Sequence, residues 1–338
     1  MTEQLTLAKA IGRALGDALA ADDRVVLMGE DIGRLGGVFR VTDGLQERFG
    51  TARVIDSPLA ESAIVGTAVG MAYRGYRPVV EIQFDGFVYP AFDQIVAQVA
   101  RLHYRTRGVV RMPLTIRIPY GGRIGSVEHH AESPESYFAH TPGLRVVTAS
   151  TPQEAYSTMR AAVTSDDPVV FFEPKARYWD KGDVDTGRIA GLDDAAVLAR
   201  GRDVTVACYG PAVRTVLDAA LAAADEGIEI EVIDLRSISP LDIDAVVESV
   251  SRTGRLVVVH EAPAEASVAS ELIASVVERA FDALRAAPER VTAYDTPYPP
   301  SALEADYLPS LDRVLDAVDR SLGRWSSRTG LAIAGGAR

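Results

Sequence analysis

The first candidate for chemistry is Glu61, which stands at the head of an apolar helical segment. In the stretch IDSPLAESAIVGTAVGMAYRG (55–75), Ser57 and Pro58 are typical of a helix N-cap and first helical residue. The following AIVGTAVGMA is apolar on every face, which predicts a buried helix. An isolated charge in such a dry site is costly, so the Glu61 carboxylate needs a partner. A ring nitrogen that shares a proton with the carboxylate would be a suitable partner.

Glu61 also has a purely structural interpretation. A capping box places an acidic residue three positions after the cap, whereas Glu61 is four positions after Ser57. One residue of uncertainty in the helix start keeps this alternative open. Gly66 and Gly70 share one helix face and allow another backbone to approach closely. That backbone belongs either to this chain or to a second subunit beside a cofactor, and both interpretations stand.

Two adjacent histidines, His129 and His130, are the second candidate. They lie in HHAESPE, a polar loop segment, and imidazole changes charge near neutral pH. A zinc site is disfavoured because no cysteine or carboxylate falls at ligand spacing. The single cysteine, Cys208, lies in the apolar run VTVACYG, which favours a small buried side chain over a catalytic thiol. His140 has a role in loop packing or subunit contact as readily as in chemistry.

These residues must be positioned by a sheet, because short β-branched runs alternate with helical patterns. The runs predict two α/β domains with mainly parallel strands. We expect a larger parallel-sheet domain over residues 1–185, a linker over 186–200, a smaller α/β domain over 201–325 and a flexible tail over 326–338. The strand-like runs are RVVLMG, PVVEIQF, PLTIRIPY, LRVVTAS and PVVFFEP in the first part, and VTVACYG, IEIEVIDLR and RLVVVHEAP in the second.

Composition narrows the class of protein. The 338 residues carry a net charge of −12, which disfavours a nucleic-acid partner. Charged residues and glycines interrupt every apolar run, so no membrane span is expected. The N-terminal segment mixes acidic residues into an amphipathic pattern and resembles a first helix more than a signal peptide. A cytoplasmic protein is the expectation.

The spacing of Glu61, four residues, Gly66, three residues and Gly70 is similar to the pyrimidine-side motif of thiamine-diphosphate enzymes. From about residue 4 to 323 the chain resembles the β subunits of 2-oxoacid dehydrogenase E1 components. The resemblance implies that residues 1–185 form a thiamine-diphosphate-binding, pyrimidine-type domain and residues 201–325 a transketolase C-terminal-like α/β domain. The segments that carry this resemblance are MGEDIGRLGGVFRVTDGLQERFG, DSPLAESAIVG, EIQFDGFVYPAFDQI, HHAESPESYFAHTPGLRVV, FFEPKARYW, VIDLRSISPLD, VVVHEAP and DTPYPP.

The resemblance implies roles for particular residues. Glu61 matches the glutamate that hydrogen-bonds N1′ of the aminopyrimidine, and His130 matches the active-site histidine. Leu59 and Gln83 match pyrimidine-pocket positions, and Phe87 matches the aromatic ring that packs on the pyrimidine, although each also fits a core position. The family also binds potassium through backbone carbonyls. The matching positions here are Leu114, Thr115, Ala162, Ser165 and Asp167.

A second argument about function comes from a motif that the sequence lacks. Enzymes of this kind that are complete in one chain carry Gly-Asp-Gly followed roughly 25 to 30 residues later by asparagine, which hold Mg²⁺ and the diphosphate. This sequence has no Gly-Asp-Gly and no asparagine. We therefore expect an E1 α subunit to hold the diphosphate half, in an α2β2 tetramer by resemblance. The second domain would then make β/β contacts and dock the E2 dihydrolipoyl acyltransferase.

Several alternatives remain. A self-contained transketolase-like enzyme is excluded by the missing metal motif unless the sequence is a fragment. A non-catalytic assembly subunit is disfavoured by the presence of Glu61 and His130. Among substrates, EIQFDGFVYPAFDQI, HHAESPESYFAH and FFEPK favour branched-chain 2-oxoacids. Pyruvate and acetoin dehydrogenase β subunits are the alternatives, because one methylene changes discrimination by only ~1 to 3 kcal/mol.

Overall fold

The computed structural model describes residues 2–324, and their strands form three sheets. Most strands of the two larger sheets are apolar runs buried on both faces, as in parallel sheets covered by helices. The strands are β1 Thr2–Thr6, β2 Val25–Gly29, β3 Val54–Asp56, β4 Arg77–Glu81, β5 Thr115–Tyr120, β6 Arg145–Thr148, β7 Val169–Pro174, β8 Lys181–Asp185, β9 Ala196–Ala199, β10 Val204–Cys208, β11 Ile230–Asp234, β12 Ser237–Ser239, β13 Leu256–Pro263 and β14 Glu289–Ala293.

Helices cover the faces of these sheets, and local capping fixes several of their starts. Thr6 Oγ1 accepts the N–H of Lys9, and Thr151 caps the helix that has Pro152 as its first residue. The helices are α1 Leu7–Ala21, α2 Leu45–Phe49, α3 Glu61–Tyr73, α4 Leu102–Arg105, α5 Glu135–Ala139, α6 Pro152–Thr164, α7 Ala212–Asp225, α8 Ile243–Thr253, α9 Val268–Ala280, α10 Glu304–Tyr307 and α11 Leu311–Ser321.

The first large sheet has seven strands in the order β12-β6-β7-β5-β4-β2-β3. Six of them are parallel, so their carboxyl ends meet at one edge, where ligands bind in open α/β sheets. The edge strand β12 comes from the second half of the chain and pairs antiparallel with β6. Its short sequence, SIS, carries no strand signal, and the sequence did not predict it.

The second large sheet has the order β14-β13-β10-β11-β9, and only β9 is antiparallel. The predicted α/β class with mainly parallel sheets is confirmed. Ala196–Ala199, within the predicted linker 186–200, forms the edge strand β9, and the domain boundaries stay a prediction. The predicted tail, 326–338, lies outside the described residues. Among residues 2–324, no helix combines the length and apolar character that crossing a membrane requires.

The start of helix α3 differs from the prediction. The helix begins at Glu61 after Ala60, and Ser57 does not cap it. Instead, the Ser57 N–H donates to the Gly29 carbonyl at 2.9 Å, which ties the segment before the helix to the end of β2. The prediction of a helix buried on every face is also wrong. One face packs on the core, while five residues stay exposed because no other part of residues 2–324 covers them: Ser62, Ala63, Thr67, Gly70 and Tyr73.

Candidate active site

Glu61 stands as the first residue of helix α3, with its N–H groups and the positive end of the helix dipole nearby. Glu61 is only 7% exposed, yet no described residue forms a hydrogen bond or an ion pair with its carboxylate. Glu30, which follows β2, is close enough to feel its charge. Burial raises the pKa of Glu30, and the charges of Asp31 and Glu61 add to that effect. Within residues 2–324, the Glu61 carboxylate thus lacks a partner.

An aromatic cluster contains two of the predicted site residues, Phe87 and His130. Their ring centroids are 5.1 Å apart, in an edge arrangement. Phe84 completes the cluster, with its ring 4.1 Å from His130 and 5.8 Å from Phe87. Phe87 is half-buried and packs against the hydrophobic core, so its core interpretation is partly correct. Its remaining exposed surface leaves it available to contact a ligand.

His130 lies in the short 3-10 turn Glu128–His130 and is half-buried. Its Nδ1 atom is buried and has no hydrogen-bond partner among the described residues. Burial lowers the pKa of His130, and the positive charges of His129 and Lys175 lower it further. Both effects favour the neutral form of the imidazole.

A buried ion pair fixes the segment that holds Phe84 and Phe87. Asp85 and Lys175 are both fully buried and directly paired. The second oxygen of Asp85 accepts the N–H of Glu132 at 2.8 Å, two residues after His130. The Lys175 ammonium also lies 5.7 Å from the centre of the Phe84 ring. The pair therefore joins the end of β7, the aromatic segment and the His130 turn.

Gly86 also helps to attach the aromatic segment to the His130 turn. A Cβ atom at Gly86 would overlap the carbonyl of His129, so the two backbones are in direct contact. Only glycine permits that approach. The position of the His130 imidazole is thus set by Gly86 and Asp85 together.

The other predicted pocket residues occupy looser positions. Leu59 is 68% exposed in the segment before Glu61, which excludes its core interpretation. Gln83 is half-buried, follows β4 and directly precedes Phe84. Leu59, Gln83, Glu61 and Lys175 all follow the carboxyl ends of strands β3, β4 and β7. They share one edge of the sheet, as expected for an α/β site.

A second buried charge cluster lies in the centre of the sheet and was missed from the sequence. The Arg117 guanidinium bonds Glu81 and Glu173, each at 2.6 Å, and Tyr178 donates its hydroxyl to Glu173 at 2.6 Å. Burial raises the pKa of Glu81, against the opposing charge of Arg117. The available signal was a charged residue inside each of three apolar strand runs, VVE, TIR and FFE.

Four of the five predicted potassium ligands have carbonyls that accept a hydrogen bond within the chain, which leaves each oxygen a second lone pair. The Leu114 carbonyl accepts the Val169 N–H at 2.9 Å, and the Ala162 carbonyl accepts the Ser165 N–H at 3.1 Å. The Ser165 carbonyl accepts from Arg77 and the Asp167 carbonyl from the Ser165 hydroxyl, each at 2.9 Å. Thr115, the fifth predicted ligand, begins strand β5 between β4 and β7.

The remaining histidines lie outside this cluster. His260 is fully buried and stacks on Tyr209, and burial lowers its pKa to about 4. It therefore stays neutral and structural. Cys208 is buried in β10, as predicted, and burial raises the pKa of its thiol. His140 is exposed and lines cavities of about 640 and 780 Å³ away from Glu61.

The pyrimidine half of thiamine diphosphate finds suitable residues in the part of the chain that the structure describes. The unpartnered Glu61 carboxylate and the half-buried Phe87 ring fit an aminopyrimidine, which offers ring nitrogens and a flat face. By contrast, no group of three or more His, Cys, Asp and Glu residues within 2–324 is arranged to hold a metal ion.

Comparisons with known proteins identify the domains of this chain. Residues 3–180 match the family described as transketolase, pyrimidine binding domain, and residues 193–314 match transketolase, C-terminal domain. A solved structure described as a split gene transketolase, inactive beta4 tetramer, has a TM-score of 0.79 over 94% of this chain and 98% of that chain. At 21% sequence identity, that likeness shows the fold alone.

Curated relatives are similar along nearly the whole chain. The pyruvate dehydrogenase E1 component subunit beta of Leifsonia xyli is 55% identical, covering 95% of each chain. The 3-methyl-2-oxobutanoate dehydrogenase subunit beta of Mycobacterium tuberculosis is 52% identical, covering 95% of this chain and 93% of that one. The family predicted from the sequence is confirmed: the chain belongs to the β subunits of the thiamine-diphosphate-dependent E1 components of 2-oxoacid dehydrogenases.

Proposed function

We propose that this chain supplies the pyrimidine half of a shared active site, with Glu61 as the residue that activates the coenzyme. The observation that carries the proposal is a carboxylate at a helix head, 7% exposed, with no partner among the described residues of its own chain. The partner of the Glu61 carboxyl group is N1′ of the aminopyrimidine. Glu61 forms a hydrogen bond to N1′ by sharing the carboxyl proton with it. When bound, thiamine diphosphate supplies the electron sink for decarboxylation of a 2-oxoacid. Phe87 packs on the pyrimidine face, with Leu59 and Gln83 bordering it.

His130 is the second catalytic residue of the proposal. Its half-buried imidazole is able to bond the substrate carboxylate and to donate or accept a proton during acyl transfer to the lipoyl group of E2. The fixed attachment of its turn through Asp85 and Gly86 supports this role, because a general acid–base group must be positioned as well as titratable. His130→Ala is expected to slow turnover by about 10²-fold or more. Unchanged turnover would remove His130 from the mechanism.

An α subunit supplies the diphosphate and Mg²⁺ half. The exposed face of helix α3 supports this proposal, because Gly70 has no atom within 4 Å of its Cβ position and the nearest atom at Gly66 is 3.6 Å away. The two glycines are thus not required for packing within the described part of this chain. They suit the close approach of a second subunit beside Glu61, in an α2β2 tetramer that docks E2. We place this assembly in the cytoplasm, without nucleic-acid or membrane partners.

For the substrate, we propose branched-chain 2-oxoacids, the activity class EC 1.2.4.4. The motifs EIQFDGFVYPAFDQI and FFEPK support that choice. Pyruvate is the second candidate, since the relative from Leifsonia xyli at 55% identity is named a pyruvate dehydrogenase subunit. Turnover of pyruvate, 2-oxoisovalerate and acetoin by the co-expressed α/β pair distinguishes them. A strong preference for pyruvate would overturn the branched-chain assignment.

Calorimetry tests the division of labour. The isolated chain, titrated with thiamine diphosphate and Mg²⁺, is expected to give negligible heat, whereas the complex with the α subunit binds the coenzyme. Tight binding by the isolated chain would contradict the proposal that the diphosphate site lies on another subunit. A non-catalytic assembly subunit would instead leave activity insensitive to substitution of both Glu61 and His130.

A further inference from the structure

The loop that contains His130 comprises residues 121–132 and is closed at its base. It leaves the end of β5, and its two ends are joined because the Gly121 N–H donates to the Glu132 carbonyl at 2.9 Å. Within this histidine loop, the Ser126 hydroxyl donates to the His130 carbonyl at 3.2 Å. The position of the His130 turn therefore depends on where the rest of the loop is held.

Arg123 attaches the histidine loop to the second half of the chain by three contacts. Its N–H donates to the Glu304 carboxylate at 2.7 Å. Its guanidinium donates to the buried Glu261 carboxylate at 3.3 Å and to the Pro309 carbonyl at 2.8 Å. Burial raises the pKa of Glu261, while the Arg123 charge and the Gly122 N–H favour its ionised form. Arg123 is thus the cation that supports a buried carboxylate of the other half of the chain.

Small residues allow the histidine loop to lie directly on the second half of the chain. A Cβ atom at Gly122 would overlap the Tyr298 hydroxyl, so the loop backbone and that side chain are in direct contact. Ala131, the residue after His130, is buried in an apolar cluster with Tyr298 and Leu308. The second half of the chain therefore contacts the loop both before and after the His130 turn.

The backbone of Arg123 indicates that its contacts determine the course of the loop. Its φ angle is +67°, in the left-handed region that residues other than glycine rarely occupy. Such a conformation persists where the surrounding structure imposes it. The bonds of Arg123 to Glu304, Glu261 and Pro309 provide that constraint. On its other side, the loop is attached to the aromatic segment through Asp85, so the His130 turn is held from two directions.

We propose that Arg123 is a positioning residue, which fixes the histidine loop to the second half of the chain and keeps the His130 imidazole beside Phe84 and Phe87. Arg123 acts through His130 rather than on the substrate. The inference rests on the proposed catalytic role of His130. It gives the second half of the chain a part in the reaction, in addition to the proposed β/β contacts and docking of E2.

Steady-state kinetics of the complex with the α subunit test this role. The variant is Arg123→Asn, because asparagine tolerates a left-handed backbone but lacks the guanidinium. We expect kcat/KM for the 2-oxoacid to fall by roughly tenfold or more, since small misplacements of a catalytic group are costly. KM for thiamine diphosphate is expected to stay unchanged. Arg123→Lys, which keeps a cation for Glu261, is expected to recover part of the loss. Arg214→Asn is the matched control, since Arg214 forms its ion pair within α7.

A double-mutant cycle identifies the residue through which Arg123 acts. In the His130→Ala background, Arg123→Asn is expected to cause no further loss of kcat/KM, because the positioned group is absent. An equal loss in both backgrounds, or activity of Arg123→Asn at the level of Arg214→Asn, would overturn the inference and leave the catalytic role of His130 in place. Full turnover by His130→Ala would instead refute that catalytic role, and the inference with it. Where Arg123→Asn fails to fold, Arg123→Lys is measured in the same cycle against the same criteria.

Discussion

Removing the ammonium of Lys175 is expected to destabilise the chain strongly. Lys175 and Asp85 are each fully buried, and no other cation among residues 2–324 pairs with Asp85. Burial raises the pKa of Asp85 and lowers the pKa of Lys175, so each charge persists because of the other. Lys175→Met leaves the carboxylate unpaired, which costs about 3 to 5 kcal/mol. The thermal midpoint is then expected to fall by roughly 6 °C or more.

A double-mutant cycle isolates the charge effect. Urea unfolding is measured for Lys175→Met, Asp85→Asn and the double variant, with the exposed Lys9→Met as control. The double variant contains no unpaired charge, and the amide that replaces the Asp85 carboxylate keeps an oxygen for the Glu132 N–H. Most of the lost stability is therefore expected to return. A double variant as unstable as the sum of its single changes would refute this reasoning, because the loss would then come from packing alone.

Two further predictions concern stability and assembly. Burial raises the pKa of Glu135 from 4.5 to about 7, so folding favours its protonated form. The contribution of Glu135 to the free energy of unfolding is fully present below pH 4.5 and is lost as the pH rises through 7. The loss amounts to about 3 kcal/mol. Glu135→Gln is expected to remove that pH dependence of the free energy of unfolding, and an unchanged slope would contradict it. Gly70→Leu is expected to abolish association with the α subunit in gel filtration without lowering the thermal midpoint of the isolated chain, because no atom lies within 4 Å of its Cβ position and leucine favours the helix more than glycine does. The exposed Ala224→Leu on α7 is the control, and wild-type assembly of Gly70→Leu would count against the proposed interface.

Much of the architecture follows from the sequence because β-branched runs are strong local signals. The run VTVACYG predicts β10, which spans Val204–Cys208. Ser57 misleads because Ser-Pro predicts a helix start, while a hydrogen bond to Gly29 holds it in an extended loop. Strand β12 depends on pairing with β6, more than 80 residues away, which no local pattern reveals.

The candidate site, too, could be predicted only in part from the sequence. Glu61, Phe87 and His130 were predicted from motifs. Their supports were not, because an ion pair such as Asp85 with Lys175 joins residues 90 positions apart. The contact of Arg77 with the Ser165 carbonyl could not be predicted either, because it depends on where the Arg77 side chain lies in the folded chain.

The most direct test of the central claim is turnover by Glu61→Gln in complex with the α subunit. Glutamine keeps the size of the side chain but removes the carboxylate. We expect decarboxylation of the 2-oxoacid to fall by at least about 10²-fold, with thiamine diphosphate still bound. Glu226→Gln, at the exposed end of α7, is the matched control and is expected to retain full activity. Turnover by Glu61→Gln at the level of this control would contradict the account.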